Sequence, residues 1–118
     1  MKTFKKMAAQ GDVVFRRIDD ASKVKLGEPL PPANVNGQVI VTHSETGHHH
    51  TMTPKTPGAV KMYASGDVLV KYLEVNEPTP VIHGRPYDTH ESIMLTKGLY
   101  EVRHQREGSP ENWRIVND

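Results

Sequence analysis

The chain has no cysteine among its 118 residues. Disulfides, thiolate nucleophiles and cysteine-ligated zinc are therefore excluded, and a bound ion must be held by nitrogen and oxygen donors. No apolar run approaches the ~18–20 residues that a membrane-crossing helix needs. Residues 1–10 start basic but contain no apolar stretch, so they do not form a secretory signal. Charge of one sign is also missing, with 15 Lys and Arg against 14 Asp and Glu. That balance gives no reason to expect strong nonspecific binding to nucleic acid. Apolar residues make up 36% of the chain, below the share usual for a globular domain. These absences define the expectation of a chain that stays in the cytoplasm, away from membranes.

What the sequence does contain is punctuation. Nine prolines and nine glycines break it often, which favours a loop-rich β domain over long helices. A single domain over 1–118 is expected, with residues 1–10 as a flexible tail carrying Lys2, Lys5 and Lys6. Because the apolar share is low, the core is expected to be completed by self-association into a homo-oligomer.

Val13–Ile18 and residues 38–42 are rich in β-branched residues and predict strands. Residues 19–37, punctuated by Pro29, Pro31, Pro32 and Gly37, read as a connecting loop with at most a turn of helix. Residues 59–63 and 68–75 flank the turn Ser65-Gly66-Asp67 and predict a hairpin. Pro78 and Pro80 frame an extended segment to His83, and residues 83–90 read as a loop. Residues 92–95 and 99–106 are two further strands joined at Lys97-Gly98, with Tyr100, Val102, His104 and Arg106 on one face of the second. Short strands with a turn every eight to twelve residues predict a mainly antiparallel all-β fold with long loops, a small sandwich or barrel, with a cupin-like barrel among the options.

The densest chemistry lies at Thr46-Gly47-His48-His49-His50-Thr51-Met52, where three of the seven histidines adjoin. On an extended chain, alternate side chains share a face. His48 and His50 then point together, alongside Met52, and His49 points away. Two imidazoles so placed can grip one Zn, Mn, Fe or Ni ion, and His90 and His83 are candidate further ligands from later in the chain. Glu91 beside His90 and Glu45 before the triplet are candidate general bases for a metal-bound water. His43 and His104 read as hydrogen-bonded scaffold. No Gly-x-Ser-x-Gly elbow, phosphate loop or dinucleotide fingerprint occurs.

Two resemblances follow from these residues. Gly47-His48-His49-His50 resembles the opening of the cupin metal motif, although Thr51-Met52-Thr53-Pro54-Lys55 lacks the glutamate that cupins place there. A longer set is similar to small uncharacterised proteins of bacteriophages and prophages, which show Gly-His-x-His in mid-chain and a second pair of histidines before a Gly-x-Tyr strand. It comprises Gln10-Gly11-Asp12-Val13-Val14, Thr46 to His50, His90-Glu91-Ser92-Ile93, Gly98-Leu99-Tyr100-Glu101-Val102, Gln105-Arg106-Glu107 and Ser109-Pro110-Glu111-Asn112-Trp113-Arg114. That likeness implies a shared site at His48, His50, His83 and His90 and no particular activity.

The leading expectation is therefore a small phage-type β protein with a histidine-rich divalent-metal site acting as a metal-dependent hydrolase. The alternative is a non-enzymatic module that inhibits a host protein or sequesters a small ligand, an anion held by the histidines with Arg103 or Arg106. A minor virion or assembly component is a third reading.

Overall fold

The computed structural model describes residues 6–10, 13–42, 50–83 and 92–104. Their elements are β1 (Met7–Gln10), β2 (Val13–Ile18), a 3-10 turn (Ala21–Lys23), β3 (Pro29–Leu30), β4 (Val39–Thr42), β5 (His50–Met52), β6 (Val60–Ala64), β7 (Val70–Val75), β8 (Thr79–His83), β9 (Ile93–Leu95) and β10 (Gly98–His104). The strands form two antiparallel sheets, one of six strands in the order β1-β2-β10-β7-β6-β3 and one of four in the order β4-β5-β8-β9. The all-β antiparallel expectation holds. Residues 7–10, read from sequence as tail, are instead the edge strand β1, paired with β2 from Met7 opposite Arg16 to Gln10 opposite Val13.

Period-two alternation decides which side chains enter the core. In β10, Tyr100 and Val102 are buried and Glu101 is not. In β7, Leu73 and Val75 are buried while Glu74 between them is half-exposed. The second sheet repeats the pattern, with Val39 and Val41 of β4, Met52 of β5, Val81 of β8 and Ile93 and Leu95 of β9 all buried. Residues of both sheets join one apolar cluster that includes Phe15, Val60, Leu73, Tyr100, Val102, Val41, Met52 and Leu95. Such burial is the main stabilising contribution of a small β domain.

Local hydrogen bonds set the turns. The Asp67 carboxylate accepts from Leu69 N at 2.9 Å and its carbonyl accepts from Val70 N at 3.1 Å. Val68 and Leu69 are thus turn residues, and β7 begins two positions later than its sequence pattern suggests. Ahead of β4, the Asn34 side-chain oxygen accepts from Asn36 N at 3.0 Å and Gln38 N at 3.3 Å, while Ala33 N donates to Gln38 O at 2.7 Å. Gly37 closes this loop at φ 78, and a Cβ there would lie 2.9 Å from Pro57 Cα.

Gly37→Ala is expected to destabilise the protein by about 1–3 kcal/mol, through backbone strain together with the clash. Gly66→Ala, at φ +93 with nothing within 4 Å of the new Cβ, should cost less, because only the left-handed penalty of about 1–2 kcal/mol applies. Urea midpoints of the two variants test this order. Glu77 generates a second expectation. Its carboxylate accepts from Lys55 N at 2.9 Å and Thr56 N at 3.3 Å. Hydrogen bonding from Thr56, with help from the Lys55 N–H and charge and against desolvation, holds its carboxyl below the usual range. The stabilisation is complete above the carboxyl's unfolded pKa and is lost as pH falls through its lower folded value. Glu77→Gln should flatten that acid-side loss in urea midpoints measured across a pH series.

Candidate functional site

The histidines separate by element. His50 lies in β5 directly opposite His83 of β8, in register with Thr51 opposite Ile82 and Met52 opposite Val81. It is 2% exposed, on the same face of its strand as buried Met52. The shared face expected for these two positions is therefore present, and it turns into the core. His48, His90, Glu45 and Glu91 lie outside the described residues.

The divalent-metal expectation is corrected. Among the described residues, no group of three or more His, Cys, Asp or Glu could hold an ion. Strand alternation gives the reason. Glu74 and Glu101 occupy strand positions opposite in parity to buried Val75 and Tyr100, so they face away from the core that receives His50. Asp67 and Glu77 sit in turns. The Zn, Mn, Fe or Ni cofactor, the histidine-rich metal site and the metal-dependent hydrolysis built on it are withdrawn together.

Arg103, proposed from sequence as an anion contact beside the histidines, also faces outward. It stands 3.6 Å from Glu101 Oε1, while Arg16 Nη2 pairs with Glu101 Oε2 at 2.7 Å. The hydrogen bond and charge of Glu101 push the Arg16 guanidinium pKa up. This exposed network is a surface feature of modest energetic weight.

A cleft opens where β4 faces the β3, β6, β7 and β10 side of the larger sheet. Its volume is about 630 Å3, within the range of roughly 300–1,000 Å3 typical of small-molecule sites. Leu30, Ile40, Val41, Met62, Leu69 and Val102 make its apolar lining, and Lys71 and His104 supply its basic groups. The wall-forming segments are tied down. Ser65 Oγ donates to Val70 O at 2.7 Å and His104 N donates to Leu69 O at 2.8 Å, holding the 65–70 turn against β10. Opposite, the hydrogen-bonded 33–38 loop fixes the approach to β4. A second cleft of about 530 Å3 adjoins the first and shares Leu30, Pro31 and Met62 with it.

The other end of the larger sheet carries a lock. Arg17 lies over the Tyr100 ring at 4.9 Å from its centroid and donates to the Tyr100 hydroxyl at 2.6 Å, to Thr96 Oγ1 and to Lys97 O at 3.2 Å. The Tyr100 hydroxyl donates in turn to Thr96 O at 2.6 Å. One guanidinium thereby joins β2, β10 and the connection that leads from β9. This group is structural. Among the described residues, no helix is long and apolar enough to cross a membrane.

These features define an all-β chain of two antiparallel sheets with a mainly apolar cleft between them that Lys71 and His104 also line. The chain belongs to the family described as a domain of unknown function, DUF8820, which matches residues 9–105. It is also similar to the cysteine–tRNA ligase of Thermosipho melanesiensis, at 25% identity over 80 residues, which is 68% of this chain and 16% of that protein. The chain thus spans under a fifth of that relative's length, too little to carry the ligase's activity across. No solved structure matches it.

Tyr100→Phe should cost about 1–3 kcal/mol, because it withdraws a donor from the Thr96 carbonyl and an acceptor from a guanidinium in a part-buried setting. Chemical denaturation checks this. A loss indistinguishable from zero would show that the lock carries no net stability.

Proposed function

We propose that this protein is a non-enzymatic binding module that holds a small ligand between its two sheets. The observation that carries the reading is the cleft lined by Leu30, Ile40, Met62, Leu69, Lys71 and His104. Concave, mainly apolar sites with a few convergent polar groups are the usual form of a ligand pocket. On this reading the sheets are the two leaves of a small sandwich that places the ligand beside the core. The likeness to phage and prophage proteins suits a small protein that sequesters a ligand in the host cytoplasm, and self-association into a homo-oligomer is compatible with it, since the cleft is built within one chain.

Fragment screening by methyl-labelled NMR tests the proposal. Binders should shift the methyl resonances of Leu30, Ile40 and Leu69 together and leave those of Ile18 unchanged. Val68 is 81% exposed and borders the cleft, so Val68→Trp should crowd the mouth without disturbing the core and weaken binding by about tenfold, or 1.4 kcal/mol. Binders whose shifts map elsewhere, or affinity unchanged in Val68→Trp, would reject the cleft as the site.

A further inference from the structure

The nature of the ligand can be taken further, resting on the cleft reading above. Lys71 has the parity of Leu73 and Val75, so it stands on the face of β7 that enters the core. Its partners in register are Val102 on β10 and Ala64 on β6, both uncharged. Lys71 is half-buried, with its stem beside apolar neighbours and its ammonium within reach of water. Lys71 Nζ donates to Val68 O at 3.3 Å. An ammonium has three donors, so this contact leaves donor capacity for an anion in the cleft that Lys71 lines. Among the described residues, the ion pairs are those of Glu101 with Arg16 and Arg103 on the opposite face, and the residues lining the two adjoining clefts include no Asp or Glu. Lys71 thus places a cation beside an apolar space, exposed Lys61 borders the adjoining cleft, and no described carboxylate lines either.

Shape narrows the class. The two clefts meet at Leu30, Pro31 and Met62. Beyond the shared residues, the second cleft is lined by Pro32, Val39 and Val60, with exposed Lys61 at its border. A short anion at Lys71 would leave these apolar walls uncovered. A chain several carbons long would satisfy the ammonium and cover the apolar walls together.

We propose that the ligand is an apolar chain ending in a single anionic head group, with the head paired to Lys71 and the chain lying along Met62 and Leu30. A neutral chain gives Lys71 no counter-charge, and a cationic one is repelled by it.

Titration calorimetry of the full chain with decanoate, decanol and decylammonium tests this. Decanoate should bind about tenfold or more tighter than decanol, as expected of a hydrogen bond between charged groups, and decylammonium should bind weakest. Lys71→Met should bring decanoate to the level of decanol, whereas Lys71→Arg, which keeps the charge, should retain the preference. Equal affinity for decanoate and decanol would overturn the head-group assignment and leave the cleft reading intact. Failure of all three chains to bind would overturn the proposal, and the fragment screen with Val68→Trp decides the cleft reading separately. Sedimentation with anionic phospholipid vesicles, without capture of free decanoate, would also overturn the proposal, because the basic residues would then be serving a lipid surface.

Discussion

Strand β10 is paired along both edges, with β2 on one side and β7 on the other, and its alternation fixes what the larger sheet presents to the smaller one. Tyr100 and Val102 build the core from this strand. His104, two positions on, carries the same face out to the cleft. In β7 the sequence Lys71, Leu73, Val75 runs the same way, from charged to apolar toward the Arg17–Tyr100 lock. A one-residue slip of either strand would exchange core and surface sets completely. The outward Glu101 network and the core-facing parity of Lys71 both follow from this register.

Much of the fold was legible because period two is a strong signal. Val13–Ile18 appears in the structure with the boundaries its sequence suggests, and the shared face of Tyr100, Val102 and His104 is as alternation requires. Two strands escaped for identifiable reasons. β1 has the sequence Met-Ala-Ala-Gln, with neither β-branched nor aromatic residues, and is held by its partner instead of its own propensity. β3 is Pro-Leu, too short for any pattern, and exists because it pairs with Met62 and Tyr63. The late start of β7 shows turn chemistry overriding propensity: Val68 is β-branched, yet Asp67 holds the backbone around it.

The site was less legible. Histidine density is a property of residues that follow one another in sequence. Coordination depends on convergence between strands, and the described carboxylates sit on outward faces or in turns. A better signal was available in the parity of β7. Lys71 belongs to the apolar set of its own strand, and a charged residue on a core-facing parity is an informative departure from the pattern. His104 was read as scaffold, and its position at the cleft could be seen only once β4 was placed against β7 and β10.

The prolines around β3 have a separate consequence. Pro29, Pro31 and Pro32 remove three backbone N–H groups within four consecutive residues at the outer margin of the larger sheet. An incoming strand would find few donors there, so this border resists the edge-to-edge stacking by which open β-sheets polymerise. A protein that keeps an apolar trough beside an exposed sheet margin gains a safeguard from that imino-acid run, which leaves that side poorly suited to template a further strand.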